Sequence, residues 1–255
     1  MKLFALLQHF GKTAGFNRLA YQKYQKAIGE YYFEFYVAPF AQGKNILDVG
    51  CAEGGVLEAF AEHDFVCTGL EYQQQRLEFA RQTGSKQIEF ILGNIEEIKF
   101  TQQFDVILML DVIEHLVHKR HALENIKQAL SPEGICVISF PPFTSAFGGH
   151  QQVMSSILKF FPFVHLLPEN SYRWLLQHLE KKNIEAHLNN YRTGITIRQF
   201  EELVAEIGFD IRKKIFHFIR PRQALRFGIK IRQNNFKFLR DFLSTGAIYI
   251  LTRRN

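Results

Sequence analysis

From Asn45 onward, short β-rich runs alternate with longer segments of helical periodicity. This alternation constrains the fold more than any other feature, because strands that are separated by helices pair in parallel. The predicted strands of this part span 45–49, 65–71, 88–92, 104–110 and 134–140. The run at 104–110, FDVILML, is almost entirely apolar, as is typical of a parallel strand that is buried on both faces. The pattern therefore predicts an α/β fold with helices on both faces of a mostly parallel sheet.

Helical segments lie between and after these strands. The predicted helices of the first part span 54–63, 73–83 and 117–130, and the sequence SPEG at 131–134 is expected to end the third. After Phe140 the alternation stops, and the next fifty residues contain only amphipathic helical pieces, around 155–161 and 172–180. Regularity returns with a helix at 196–208, which Thr196 and Gln199 begin as a capping box, and with strands at 209–219 and 247–252.

The most specific local pattern is the sequence ILDVGCAEGG at 46–55. It predicts a buried strand that enters a turn of small residues and then a helix, and small residues there let the backbone approach a ligand closely. Glu71 ends the second strand, where a carboxylate can accept hydrogen bonds from both hydroxyls of a ribose. Together these features predict a nucleoside cofactor.

Charge distinguishes between the two nucleoside cofactors that suit this pattern. Asp48 and Glu53 would lie beside the pyrophosphate of NAD, which needs a positive potential. S-adenosylmethionine has no phosphate and carries an ammonium and a sulfonium, so the same carboxylates attract it, directly or through water. The sequence therefore favours S-adenosylmethionine over NAD.

These residues resemble the class I S-adenosylmethionine-dependent methyltransferases, over about 44–141 and more weakly from 196 to the end. The family pattern, an acidic residue followed by Gly-x-Gly-x-Gly, is matched by Asp48, Gly50, Ala52 and Gly54, with Ala52 in place of the central glycine. The resemblance implies a Rossmann-like fold with a seven-stranded, mostly parallel sheet, an antiparallel C-terminal strand and a helical insertion after the fifth strand.

The resemblance also implies roles for residues at the ends of the next strands. Glu71 is expected to bind the ribose and Tyr72 to flank the adenine. Asn94 and Ile95 are expected to contact the adenine edge, and the family usually has Asp where Asn94 stands, although either side chain can accept from the adenine amino group. Leu110 is expected to face the methionine part of the cofactor.

The sequence DVIEH at 111–115 follows the fourth strand, at the sheet edge where ligands of open α/β sheets bind. Methyl transfer needs mainly alignment and, for a hydroxyl acceptor, a base, so His115 and His150 are the predicted catalytic residues. Asp111 is predicted to bind the cofactor and to lie with the two histidines on the polar side of the reaction centre. No metal is assigned, although Asp111, Glu114 and His115, joined by His150, could instead surround a divalent ion. That arrangement resembles ubiquinone-pathway O-methyltransferases and small-RNA 3′-terminal methyltransferases.

Two segments bear on the methyl acceptor. The run ILKFFPFVHLL at 157–167 could line a lipophilic pocket, touch a membrane surface or pack on the sheet. Between Asp210 and Asp241 there is no acidic residue, and basic residues alternate there with phenylalanines, which suits an anionic partner at 212–240 such as RNA, anionic lipid or a phosphorylated metabolite, or a solvated surface. The basic residues are Arg212, Lys213, Lys214, Arg220, Arg222, Arg226, Lys230, Arg232, Lys237 and Arg240.

Length and composition complete the expectation. The chain has 255 residues, 47% of them hydrophobic and 22% charged, which excludes a disordered chain. We expect one domain, with a helical cover at 1–42, a cofactor-binding half at 43–140, an acceptor-site insertion at 141–193 and a C-terminal helix and strands at 194–255. Three scattered cysteines indicate no disulfide framework, and no apolar run reaches the roughly 18 residues of a membrane-spanning helix. A cytoplasmic protein is expected, with attachment to a membrane surface as an alternative.

Three functions are consistent with these features. The favoured one is methylation of a small or lipid-like molecule, at oxygen. The second is RNA methylation, which the basic stretch would serve. The third is a non-catalytic protein that binds S-adenosylmethionine, which the polar residues after the fourth strand disfavour.

Overall fold

The computed structural model describes residues 17–236 and 238–254, and its strands form a single sheet. The strands are β1 (Asn45–Val49), β2 (Val66–Glu71), β3 (Ile88–Leu92), β4 (Phe104–Leu110), β5 (Leu130–Phe140), β6 (Phe209–Ile219), β7 (Arg232–Gln233) and β8 (Gly246–Arg253). Their order is β3-β2-β1-β4-β5-β8-β6-β7. Strands β1 to β5 pair in parallel, and β8 runs antiparallel to both β5 and β6. This confirms the predicted Rossmann-like sheet, to which the structure adds the two-residue strand β7 at one edge.

Helices cover both faces of the sheet. They are α1 (Arg18–Tyr32), α2 (Gly55–Ala61), α3 (Gln74–Thr83), α4 (Lys119–Ala129), α5 (Glu169–Leu175), α6 (Ile184–Thr193), α7 (Ile197–Ile207), α8 (Pro221–Phe227) and α9 (Arg240–Leu243). Helix α1 continues into a π-helical turn, Phe33–Val37. Within the predicted N-terminal cover, residues 1–16 lie outside the described residues. No helix of the described ranges is both long and apolar enough to cross a membrane.

The core has two halves, one on each face of the sheet. Alternate residues of β4 divide between them: Val106 and Leu108 pack with α1 and α2, whereas Ile107 and Met109 pack with α4 and α7. The insertion has a small core of its own, built from Met154, Leu158, Tyr172, Leu176 and Leu188. The insertion is therefore a packed element and can hold side chains over the sheet edge.

Local boundaries differ from the prediction where tertiary contacts override the turn signals. The sequence 131–134 was expected to precede β5, but it belongs to that strand as a bulge, because Phe104 pairs with Leu130 and Val106 with Ile135. The piece around 155–161 is only a short 3₁₀ helix, Ile157–Phe160. Helix α5 starts three residues before the predicted 172 and passes into a π-helical turn, Leu176–Glu180. The capping box at Thr196 and Gln199 is present as predicted.

Candidate active site

The turn after β1 requires small residues for two physical reasons. Gly50, Ala52 and Gly54 all have left-handed backbones, with φ of +78°, +51° and +77°. A Cβ at Gly50 would lie 2.5 Å from Cγ2 of Val112, and one at Gly54 would lie 2.8 Å from Cζ of Phe90. Ala52 adopts the left-handed conformation that favours glycine, which explains why the family pattern has glycine at this position.

Glu71 ties the end of β2 to this turn. Its Oε2 accepts from the backbone N–H of Ala52 at 3.0 Å, and its Oε1 accepts from the N–H of Gln73 at 2.8 Å. Each carboxylate oxygen has a second lone pair, so the group can still accept from ribose hydroxyls. The same carboxylate therefore supports the strained turn and keeps lone pairs free for further hydrogen bonds.

The turn is lined by buried carboxyl groups. Asp48 is almost fully buried, and burial together with the neighbouring Glu71 raises its pKa to about 8, against a smaller opposing effect of Arg222. Burial also raises the pKa of Glu53, whose Oε1 lies 3.8 Å from Nε of Arg76. Such groups favour a cationic ligand, since a nearby positive charge would offset the cost of ionising them without water.

The other predicted cofactor residues lie at the ends of β2, β3 and β4. Tyr72 is exposed, and its hydroxyl accepts from the amide of Gln73 at 2.8 Å. The side-chain oxygen of Asn94 accepts from the N–H of Glu96 at 3.0 Å, which forms a local turn. The Ile95 side chain is buried in the core, so only its backbone can face a ligand. Leu110 is buried at the end of β4.

Two histidines and a glutamate meet beside these strand ends. Glu114 and His115 lie on the 3₁₀ turn Ile113–His115 after β4, and His150 lies in the loop after the adjacent strand β5. Oε1 of Glu114 is 3.9 Å from Nε2 of His115 and 4.0 Å from Nε2 of His150, and the two imidazole centres are 4.9 Å apart. One candidate metal-ligand atom from each residue lies within 4.8 Å of the others.

The electrostatic state of this cluster is unusual. Both carboxylate oxygens of Glu114 and Nε2 of His150 are buried and have no hydrogen-bond partner among the described residues. Burial, reinforced by Asp111, raises the pKa of Glu114 to about 8. Burial lowers the pKa of His150 to about 4 and also lowers that of His115. Both imidazoles are thus neutral at physiological pH. Among the described residues, no cation and no hydrogen-bond acceptor is bonded to the Glu114 carboxyl group.

Asn190 orients His115 from the insertion. Its Oδ1 lies 3.2 Å from Nδ1 of His115, so Nδ1 donates and Nε2 keeps its lone pair toward Glu114. Asn190 is part of α6, a helix that was not predicted, and the sequence contains no motif that marks this residue.

Asp111 has different partners from those expected. Its carboxylate accepts from Nη1 of Arg220 at 2.8 Å and pairs with Nε of Arg222 at 3.0 Å. Burial acts to raise the pKa of Asp111, but the two arginines outweigh it and hold this pKa below its usual range. The structure therefore groups Glu114 with His115 and His150, and not with Asp111 as the sequence-based ion site had it. Arg220 and Arg222, expected in an anion-binding stretch, point inward instead.

A family model described as a methyltransferase domain matches residues 21–214. The chain belongs to this methyltransferase family. The resemblance identified in the sequence is thereby confirmed.

Curated relatives of this methyltransferase match less than half of its length. A ubiquinone biosynthesis O-methyltransferase from Rickettsia canadensis is 35% identical over 98 residues, which are 37% of this chain and 41% of the relative. One from Coxiella burnetii is 30% identical over 97 residues, 36% of this chain and 42% of the relative. The chain thus spans about two fifths of the length of these relatives.

Solved structures match this methyltransferase over nearly its whole length, at low identity. A TehB-like SAM-dependent methyltransferase from Corynebacterium glutamicum has a TM-score of 0.54 and 16% identity and covers 89% of this chain and 88% of its own. The plantazolicin methyltransferase BpumL in complex with SAH has a TM-score of 0.54 and 17% identity, with 100% and 90% covered. These similarities concern the fold.

Asp48→Asn is expected to stabilise the ligand-free protein at alkaline pH. A carboxyl group whose pKa rises on folding from 3.8 to about 8 binds more protons in the folded state, so stability falls as the pH rises through this range. The substitution removes that loss. Thermal denaturation should show a melting temperature several degrees higher than wild type at pH 8 and no gain at pH 4. An unchanged or lower melting temperature at pH 8 would contradict the assigned cost of this carboxyl.

Proposed function

We propose that this protein transfers the methyl group of S-adenosylmethionine to an oxygen atom of a small or lipid-like acceptor. The observation that carries the proposal is the cluster of Glu114, His115 and His150, whose unpartnered polar atoms lie at the same sheet edge as the cofactor turn. The names of the curated relatives, which are O-methyltransferases, agree with the reaction. The single sheet of the described residues supports one methyltransferase domain, 1–255.

The cofactor occupies the turn and the strand ends beside it. Glu71 accepts from the ribose hydroxyls, and the carboxylate of Asp48 attracts the methionine ammonium. Gly50, Ala52 and Gly54 leave room for the ligand because these three positions have no side chain larger than a methyl group. At the other strand ends, Tyr72 flanks the adenine, Asn94 and Ile95 contact its edge, and Leu110 and Asp111 lie beside the methionine part.

The reaction is a displacement at the methyl carbon. The acceptor oxygen forms a bond to this carbon while the carbon–sulfur bond breaks, its electron pair stays on sulfur, and the sulfonium becomes a neutral thioether. The hydroxyl proton passes to Nε2 of His115, which Asn190 keeps unprotonated. His150 lies across the cluster, where it can hydrogen-bond the acceptor and limit its orientations.

The same three side chains fit a divalent cation. Two neutral imidazole nitrogens and one carboxylate suit Zn²⁺, Mn²⁺ or Fe²⁺, and the lack of other partners for Glu114 and Nε2 of His150 agrees with such a role. When bound, the ion would lower the pKa of an acceptor hydroxyl. Glu114, His115 and His150 would hold it, and Asn190 would keep His115 in the required tautomer.

The acceptor class is tested with labelled S-adenosylmethionine. The protein is incubated with a lipid-soluble metabolite extract, a water-soluble extract and total RNA, and incorporated label is counted in each. We expect label in the metabolite fractions, as an ether that survives mild alkali, and none in RNA. Label in RNA would overturn the acceptor class. Calorimetric binding of S-adenosylmethionine with no turnover in any fraction would favour a non-catalytic protein.

His115→Ala and His150→Ala should each slow turnover by about 100-fold or more, because proton transfer and acceptor alignment depend on them. Cofactor affinity, measured by calorimetry, should change little. His121→Ala is the matched control, since this exposed histidine stacks on His118 outside the cluster. If chelator abolishes activity and Mn²⁺ or Zn²⁺ restores it, the ion acts on the hydroxyl; if chelator has no effect, His115 acts as the base. Full activity in both alanine variants would refute the site.

Asn190→Ala tests the orientation of His115. The hydrogen bond from Nδ1 raises the pKa of His115, so its loss should move the acid limb of the pH–rate profile to lower pH. Turnover should fall about 10- to 100-fold, the usual cost of removing such a support. Asn189→Ala, the exposed neighbour on the same helix, should do neither. A fall in turnover without a shifted profile would show that Asn190 serves packing alone.

A further inference from the structure

We propose that this protein docks on anionic membrane surfaces through a patch formed by two segments, 157–167 of the insertion and the described residues of 226–243 (226–236 and 238–243) near the C-terminus. This surface, called the docking patch below, combines exposed aromatic and aliphatic side chains with unpaired cations. The inference rests on the surface alone and does not require the proposed reaction.

The apolar part of the docking patch is large and outward-facing. Phe160 is 71% exposed and Phe238 is 81% exposed. Exposure of so much of a phenyl ring to water is unfavourable. Other large apolar side chains of the two segments are also exposed: Ile157, Phe161, Phe163, Leu166, Leu167, Phe227, Ile229, Phe236, Leu239, Phe242 and Leu243. Isolated exposed side chains are ordinary, but a concentration of this size indicates a partner.

The two segments meet in space. The rings of Phe163 and Phe242 are 6.4 Å apart, and the hydroxyl of Thr144 donates to the carbonyl of Asp241 at 3.3 Å. The backbone N–H of Phe163 also donates to the carbonyl of Ala146 at 2.7 Å, so this segment is held to the loop that carries His150. The two segments therefore adjoin at Phe163 and Phe242.

Hydrogen bonds fix the conformation of the C-terminal segment of the docking patch. Asn234 is buried, and its side-chain amide donates to Oγ of Ser244 at 2.9 Å and to the carbonyl of Arg240 at 3.4 Å. Its N–H donates to the carbonyl of Phe216 at 2.7 Å, which fixes the loop to β6. These internal bonds hold Phe236 and Phe238 outward on a closed loop.

Cations border the apolar surface. Within the described ranges no carboxylate oxygen lies within 4.0 Å of the charged groups of Lys159, Arg226, Lys230 and Arg232. Lys159 and Arg226 lie over the rings of their sequence neighbours Phe160 and Phe227, which belong to the patch. The other described cations of the basic stretch contact distant groups: Arg220 and Arg222 pair with Asp111, Lys214 with Glu201, Arg212 and Lys213 lie over the ring of Phe40, and Arg240 lies over the ring of Phe216. Within the described part of the basic stretch, the cations that have no carboxylate partner and no contact with a distant ring are Arg226, Lys230 and Arg232, and all three lie in the docking patch.

The mixture of side chains favours a lipid surface over RNA. RNA bases stack on aromatic rings, but Ile157, Leu167 and Leu243 offer no such platform and instead gain free energy in the acyl region of a bilayer. Exposed Lys and Arg beside them match the negative headgroups of an anionic leaflet. Both segments also follow or precede strand ends at the edge where the cofactor turn lies, so docking would bring the reaction cleft to the membrane. This last consequence rests on the proposed function.

The test is flotation of the whole protein with vesicles of phosphatidylcholine, alone or mixed with phosphatidylglycerol. We expect binding to the mixed vesicles, weakened by salt, and little binding to phosphatidylcholine alone. Phe160→Ser with Phe238→Ser should reduce the bound fraction at least tenfold. Lys230→Gln with Arg232→Gln should weaken binding about fivefold for each charge removed.

Matched controls separate the docking patch from general effects. Phe35→Ser and Val66→Ser replace exposed apolar residues elsewhere, and Lys86→Gln with Lys99→Gln removes two exposed cations elsewhere. These variants, and His115→Ala, should float like wild type. Calorimetric binding of S-adenosylmethionine by every variant shows that each is folded.

Three outcomes would overturn the proposal. One is a wild-type protein that binds S-adenosylmethionine but floats with neither vesicle. Another is flotation of the patch variants equal to wild type, since binding would then occur elsewhere. The third is a dimer in sedimentation that Phe160→Ser with Phe238→Ser dissolves, without vesicle binding, because a second copy would then cover the patch. None of these outcomes measures turnover, so they leave the proposed reaction untouched.

Discussion

The buried ion pair of Asp111 with Arg220 and Arg222 connects three distant parts of the chain. It joins the end of β4 to the junction between β6 and α8, and the carbonyl of Arg222 accepts from the hydroxyl of Tyr24 on α1 at 2.5 Å. Asp111 has a left-handed backbone, with φ of +57°, a strain that these charge-assisted contacts offset. Loss of one partner from such a pair typically costs about 3–5 kcal/mol. Because Asp111 begins the turn that carries Glu114 and His115, the direction of that turn depends on this pair.

The cleft beside this ion pair contains two buried carboxyl groups that form no ion pair with a lysine or arginine of the described residues. Asp48 and Glu114 are both buried, and the pKa of each is raised to about 8. The ligand-free protein therefore bears an electrostatic cost, which a cationic ligand would reduce. A sulfonium cofactor at Asp48 and a proton or divalent ion at Glu114 are the proposed ligands. Stability and function are then opposed at these positions, as is common at active sites.

Much of the fold was predictable because it follows from short-range patterns. The bounds of β1, β3, β4 and β6 agree with the sequence-based prediction. The β5 bulge was missed, since Ser131 to Gly134 have turn chemistry and only the pairing of Leu130 and Ile135, on either side of them, with β4 places them within the strand. Asn190 was missed as well, because it lies 75 residues from His115 and no local pattern relates the two.

The sequence by itself determined most of the strands, the small-residue turn after β1 and the placement of His115 and His150 at one sheet edge. These depend on periodicity, on glycine-like backbone conformations and on the rule that parallel strands end at a common edge. Only the tertiary structure decided that the pKa of Asp111 is lowered while the pKa of Glu114, three residues away, is raised. Asp111 meets Arg220 from 109 residues away and has a lowered pKa, whereas Glu114 is buried without a partner among the described residues. The pKa of a carboxyl depends on the charges and the water around it, and folding brings these together from distant parts of the chain.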